Sequence, residues 1–288
     1  MVWFIFALLS AVFRSLHEFA TKKFLSNIDK YVLASGTFFI TGLLLLIISS
    51  IYTGIPELGE KFYLAVISTV ILNIAIVILT FSALKKIDLS LAAPISSFTP
   101  LFLILTSFII LKEIPTKYGV IGILFIVVGS YILNFDKNKN LLEPIKQIYK
   151  NKGILYLFIA AFIASISSSF DKMVVLNSNI TFGTSIAYFL LSLIFFLISI
   201  IKNKNNFILY QRNIKKFLIV GVLIFLGGLG VNIAYTLQKV AYVSAINRFH
   251  ILLAIIYGGT LLKEKNILNR FIGGLMMVIG MIIITLFG

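Results

Sequence analysis

"IILKEIPTKYGVIG", residues 109–122, interrupts two apolar runs with Lys112, Glu113, Pro115 and Lys117, and "TLLKEKNILNRFIG", residues 260–273, does much the same 151 positions later. At that offset eight positions coincide between 109 and 129: Leu111/Leu262, Lys112/Lys263, Glu113/Glu264, Ile121/Ile272, Gly122/Gly273, Leu124/Leu275, Val127/Val278 and Gly129/Gly280. Apolar matches are cheap in so greasy a chain, so the Lys-Glu pair and the two glycines carry the weight. Fainter echoes pair Ser15 with Ser165 and Lys22 with Lys172 at offset 150, and Leu84-Lys85-Lys86 with Leu237-Gln238-Lys239 at offset 153. A charged stop followed by a glycine-spaced restart, written twice, points to a duplicated unit.

The 288 residues are 60% hydrophobic and only 12% charged, against roughly 45–50% apolar in a soluble domain. Ten apolar stretches emerge, at 2–21, 31–52, 62–83, 90–111, 117–135, 153–176, 181–201, 215–237, 242–262 and 267–287. Each is long enough to cross about 30 Å of hydrocarbon as a helix. The expected class is therefore an all-α integral membrane protein with a lipid bilayer as its surroundings. The first stretch competes with a signal peptide, but it lacks a basic start, and Arg14, His17 and Glu18 stand where a small-residue cleavage site belongs. It is expected to be a retained helix.

With no cysteine, disulfides, thiolate metal centres and Cys nucleophiles are excluded. The net charge of +15 lies in the joints between apolar stretches, not on one folded face, which argues against nucleic acid. Counted joint by joint, the odd-numbered joints hold 18 Lys and Arg and the even-numbered ones 5. The positive-inside rule then puts the odd joints in the cytoplasm and both termini outside.

The segment FDKNKNLLEPIKQIYKNKG, residues 135–153, divides the chain into a first five-helix repeat at 1–135, a charged linker at 136–152 and a second repeat at 153–288. Five is odd, so equivalent helices cross in opposite directions, and the expected architecture is two inverted repeats. Secondary transporters use this plan, holding substrate near the midplane between halves that rock around it. The glycines 122/129 and 273/280, seven residues apart, fall on one side of each half's last helix, where small residues permit close approach.

The stretches "ALKKIDLSLAAPISSFTPLFLILTSFIILKE" (83–113), "GILFIVVG" (122–129) and "YVSAINRFHILLAIIYGGTLLKE" (242–264) resemble the EamA-like domains of the drug/metabolite transporter superfamily. The resemblance covers both halves and implies a carrier, not an enzyme, with no cofactor and a small-molecule substrate drawn from amino acids, nucleosides, sugars or other metabolites. It departs from the family pattern at Ile251, where the second half lacks the counterpart of Pro100. It also implies both termini in the cytoplasm, opposite to the charge count.

Charged groups inside spans are costly and face a cavity or a partner. In the first span Ala7, Ser10, Ala11, Arg14, His17, Glu18 and Thr21 form a small and polar stripe. Arg14 and Glu18, at i and i+4, are placed to pair; the alternatives are a self-neutralising structural pair or a substrate or proton role. The sixth span repeats the stripe with Ala161, Ala164, Ser165, Ser168, Asp171 and Lys172, its serines placed either to bond back to helix carbonyls and pack or to meet substrate; Asp171 and Lys172 are expected at the membrane boundary.

In the ninth span Ser244, Asn247, Arg248, Ile251, Ala254, Ile255 and Gly258 share a face, with His250 beside Asn247. Arg248 aligns with Ser97, between Pro94 and Pro100, and either meets a hydrated cavity or snorkels to an interface. Asn73, Gly228, Asn232 and Tyr235 either line the path or bond between helices. The substrate-binding candidates are thus Arg14, His17, Glu18, Ser97, Asn232, Tyr235, Asn247, Arg248 and His250, in a cavity lined by spans 1, 3, 4, 6, 8 and 9. Arg248 and Arg14 would attract a carboxylate, and Glu18 an amine or a coupling proton.

No GxxxxGK[ST] is present to bind ATP, His17-Glu18 lacks HExxH spacing and His250 is isolated, so no metal or nucleotide is expected. Asn179-Ile180-Thr181 fits a glycosylation tripeptide. Alternative readings are an exporter of drugs or lipid-linked intermediates, a lipid-modifying membrane enzyme and a scaffold.

Overall fold

The computed structural model describes residues 1–25, 28–84, 95, 97–133, 150–203, 206–253 and 267–288. The main helices are α1 (Val2–Leu25), α2 (Lys30–Ile48, prolonged by a π-turn at Ser49–Thr53), α3 (Phe62–Leu84), α4 (Thr99–Leu111), α5 (Lys117–Leu133), α6 (Lys152–Leu176), α7 (Phe182–Lys202), α8 (Ile214–Leu237), α9 (Val240–Asn247) and α10 (Ile267–Phe287). A short helix, Asn206–Arg212, leads into α8, and after a turn at Arg248 the α9 segment is helical again to Leu253. Among the described residues six helices are long and apolar enough to cross a membrane, and Thr99–Leu111, Lys117–Leu133, Val240–Leu253 and Phe271–Phe287 are shorter apolar helices. Most of the linker, residues 136–149, lies outside the described residues, as do Pro94, the 263–264 Lys-Glu pair and the expected stripe positions 254, 255 and 258.

The opening motif is a helix stop and restart. Lys112 takes the left-handed conformation (φ 59°), its N–H bonds Phe108 O at 3.1 Å, and Glu113 N–H bonds Ser107 O at 3.3 Å. Those paired bonds satisfy carbonyls that a helix end leaves open, with a lysine where glycine is easier. Four residues on, Thr116 Oγ1 accepts from Gly119 N–H at 3.0 Å and caps α5. The Asn179-Ile180-Thr181 tripeptide does similar work: Asn179 Oδ1 accepts from Phe182 N–H at 2.6 Å and from Thr181 N–H at 3.0 Å, at the start of α7.

Packing follows the repeat. Exchanging the halves, α1 for α6 through α5 for α10, maps the most extensive helix contacts onto themselves. Helix α1 packs on α8 as α6 does on α3, α1 on α9 as α6 on α4, and α2 on α8 as α7 on α3; α2 with α7, α4 with α9 and α5 with α10 are their own counterparts. The repeated glycines form the last of these contacts. A Cβ on Gly122 would lie 2.8 Å from Gly280 O, and one on Gly129 2.6 Å from Gly273 O. The earlier glycine of one helix meets the later glycine of the other, so α5 and α10 run antiparallel, backbone against backbone.

Neither half folds around its own core. One apolar cluster joins Trp3 and Ala7 with Leu103, Ile126, Tyr242, Ile246, Met277 and Ile284, and another joins Phe62, Val66 and Val70 with Met173, Leu191 and Phe195. Ile251, expected on the polar face, belongs to the first of these clusters. On the outside, Ile5, Leu9, Ile67, Ile71, Leu193 and Leu197 are exposed, as lipid contact requires and water disfavours.

The Lys-Glu motif also joins the halves. Glu113 Oε1 lies 2.6 Å from Lys172 Nζ, Glu113 Oε2 accepts from Val240 N–H at 2.8 Å at the start of α9, and Lys172 donates to Gln238 O at 2.5 Å past the end of α8. Lys172 is 6% exposed. A partner carboxylate from the other half lets the ammonium be buried.

Candidate functional site

Between the two apolar clusters lies a cavity of about 540 Å³. It reaches Leu25 and Lys30 at the α1–α2 end and extends to Val174, Tyr235 and Val243 near the other. Helices α2 and α7 contribute Leu33, Phe38, Tyr188 and Leu191 to its wall, in addition to residues from the expected spans 1, 3, 4, 6, 8 and 9. Their mean hydropathy hides a small-residue and aromatic face that the α2–α7 contact turns inward.

On α1 the spacing of Ser10, Arg14, His17, Glu18 and Thr21 brings all five to the cavity. Arg14 Nε pairs with Glu18 Oε1 at 3.1 Å, and Asn247 donates through Nδ2 to Ser10 Oγ at 2.8 Å. His250 stands behind Glu18, outside the lining: its Nδ1 is 2.6 Å from Asn247 O and its Nε2 is 3.3 Å from Glu18 Oε1. A carbonyl oxygen only accepts, so the hydrogen bond at Nδ1 is donated by the ring. Its Nε2 then meets the carboxylate favourably only with a further proton between them, on one group or the other.

Arg248 is 6% exposed, borders the cavity, and its Nε has no hydrogen-bond partner among the described residues. It does not snorkel. The turn at Arg248 lets one short stretch aim Ser244, Asn247 and Arg248 inward while His250 buttresses Glu18.

The facing wall is built by α3, α6, α7 and α8. Asp171 accepts a hydrogen bond at Oδ1 from Thr69, whose hydroxyl lies 3.2 Å from Ser167 Oγ; Asn73 Nδ2 donates to Ser167 Oγ at 2.9 Å. Asn232 donates to Ile180 O at 2.7 Å and to Thr184 Oγ1 at 2.9 Å, and Tyr235 bonds Ser168. Ser165 and Ser169 bond back to Phe162 O and Ser165 O, as the packing alternative held. Asp171, the neighbour of Lys172, lines the cavity.

Seven sequence candidates, Arg14, His17, Glu18, Asn232, Tyr235, Asn247 and Arg248, therefore meet at one cavity. Ser97 does not. It is buried away from the lining, and Thr99, two residues on, takes that place. Pro100, placed in the first turn of α4, removes a donor that the helix does not use there. Residues the sequence reading passed over include Thr69, Tyr188 and Asp171. Of these, Asp171 carried a signal, since it falls three residues after Ser168 on the stripe already recognised in α6.

Among the described residues no cluster of His, Asp and Glu is placed to hold a metal. A search of curated proteins returned no match. Among solved structures, a crystal structure of a protein superposes with a TM-score of 0.75 over 98% of this chain and 96% of that one, at 16% identity, a likeness of fold. The sequence itself matches the EamA-like transporter family twice, over residues 1–135 and 151–286, the two stretches that the antiparallel packing relates. A helical membrane protein built from two such units around a polar cavity, this chain belongs to the EamA-like transporter family.

Proposed function

We propose that the protein is a secondary-active carrier of a plasma membrane, with ten spans in repeats 1–135 and 153–288, moving a small polar or amphipathic metabolite that bears a carboxylate. One observation carries the proposal: Arg248 is buried, borders the cavity and leaves Nε without a partner. An unpaired buried guanidinium is expensive, and an anionic ligand offsets that cost by charge-assisted hydrogen bonds. Arg14 adds a second positive charge beside it, while Asn247 holds Ser10 and supports that corner. Asn232 and Tyr235 complete the opposite wall and orient the rest of the ligand.

Alternating access follows from the packing. The halves contact each other through symmetric helix pairs, so a rocking motion exchanges equivalent environments at the two ends. Proton coupling is assigned to Glu18 with His250, whose facing nitrogen and oxygen need a shared proton. Transport insensitive to a pH gradient, and unaltered by Glu18→Gln, would remove that assignment.

The test of the main reading is thermal unfolding of the purified protein in detergent with a panel of carboxylates, because a ligand bound to the folded form raises its apparent stability. At least one carboxylate is expected to stabilise the wild type, with the shift lost in Arg248→Gln. Equal shifts in the two proteins, or none with any carboxylate, would overturn it.

A further inference from the structure

The carboxylate reading explains one wall of the cavity and leaves a charge on the other. Asp171 lies among α3, α7 and α8, and among the described residues no cation pairs with it. Its neighbour Lys172 is turned away, held 2.6 Å from Glu113, and around the carboxylate stand neutral groups: Thr69, Ser168, Tyr188 and Tyr235. Glu18 is differently placed, since Arg14 at 3.1 Å and His250 at 3.3 Å already hold its Oε1. Of the two carboxylates that line the cavity, Asp171 is thus the one still lacking a positive partner. Arg248, on the same cavity, makes no ion pair among the described residues, and its Nε has no hydrogen-bond partner there.

Both unmatched charges face the same space. Tyr188, Tyr235 and Arg14 line that space with them. A ligand with only an anionic group would match Arg248 and leave Asp171 uncompensated. A ligand with an anion and a cation compensates both, and its own two charges then enter a low-dielectric space already paired. The same lining includes the apolar side chains Phe38, Leu191, Leu223 and Ile224.

We propose that Asp171 is an ammonium-binding subsite, and that the ligand is a zwitterion whose carboxylate meets Arg248 and whose ammonium meets Asp171, with an apolar substituent between. This rests on the carboxylate reading above and narrows it. Asp171 is then the residue that selects an amine-bearing acid from a plain acid of the same shape, because a plain acid leaves the carboxylate unmatched.

The experiment compares L-leucine, its isosteric 2-hydroxy acid and L-leucinamide, together with the corresponding sets for valine, methionine and phenylalanine, by thermal unfolding of the purified wild type across a concentration series. In at least one set the amino acid is expected to bind about ten- to a hundredfold more tightly than either analogue, the loss expected from one charge-assisted contact. In Asp171→Asn the amino acid falls to the level of its 2-hydroxy acid, whose own binding persists. If the 2-hydroxy acids match the amino acids in the wild type, the Asp171 proposal fails and the carboxylate reading stands. If the amides match them, or no carboxylate compound binds, both fail. Should Asp171→Asn not fold, the wild-type comparison decides alone; should it fold and still prefer the amino acid, the subsite is refuted.

Discussion

Glu113 and Lys172 offer a quantitative test of how the halves are joined. The side chains are 16% and 7% exposed and 2.6 Å apart. Removing one partner from a buried pair costs about 3–5 kcal/mol, mostly for the charge left behind. Lys172→Met leaves a carboxylate that still accepts from Val240 N–H at 2.8 Å, and that bond offsets part of the loss, so about 3 kcal/mol is expected. Glu113→Gln keeps an oxygen for Val240 but presents the Lys172 ammonium with an uncharged amide; Gln238 O, at 2.5 Å, remains its acceptor. A cost of about 2–3 kcal/mol follows. Glu113→Ala also loses the cap on α9, about 1 kcal/mol more. The double variant Glu113→Gln/Lys172→Met has no orphaned charge and is expected within about 1 kcal/mol of the wild type. The assay is equilibrium unfolding in mixed micelles, arranged as a double-mutant cycle, with a predicted coupling of at least about 3 kcal/mol. Additive single effects, or single costs below about 0.5 kcal/mol, would show the pair to be solvated and the reasoning wrong.

Gly129→Ala places a methyl 2.6 Å from Gly273 O, where backbone faces backbone, and a loss of about 1–3 kcal/mol is expected. Gly228→Ala, whose new atom has nothing nearer than Tyr188 Oη at 4.0 Å, should unfold like the wild type in the same assay. The chain has no cysteine, so Ser168→Cys and Ser244→Cys, both on the cavity, are expected to react with a water-soluble maleimide; Ser130→Cys, fully buried in α5, is expected to stay unreactive. Equal labelling of all three would mean the cavity is not a separate hydrated space. In proteoliposomes, Glu18→Gln should uncouple flux from a pH gradient while leaving facilitated exchange of the substrate, read as counterflow of a radiolabelled ligand.

Span positions were legible because hydrocarbon imposes a length on apolar runs. The stretches 62–83, 153–176 and 215–237 reappear as Phe62–Leu84, Lys152–Leu176 and Ile214–Leu237. The Arg14–Glu18 pair was legible because residues four apart on a helix are neighbours wherever the helix goes. The surroundings of Asp171 and Lys172 were not legible, for the complementary reason. Near the end of a span a charge reads as interfacial, and only Glu113 from the other half makes burial of Lys172 tolerable. Ser97 was chosen through the repeat alignment, but α4 starts with a turn there and passes the lining position to Thr99.

Alone, the sequence determined the solvent this chain lives in, the duplication and the residues too polar to face lipid. Periodicity along one helix supplies all three, since it states which residues share a face. What each face looks at was decided by tertiary structure. The contacts between halves turned α2 and α7 inward, put Glu18 between Arg14 and His250, and left Arg248 and Asp171 unmatched across one cavity. Those outcomes depend on side chains more than 100 positions apart meeting in a low-dielectric space, where pairing, not sequence spacing, sets the energy of a charge.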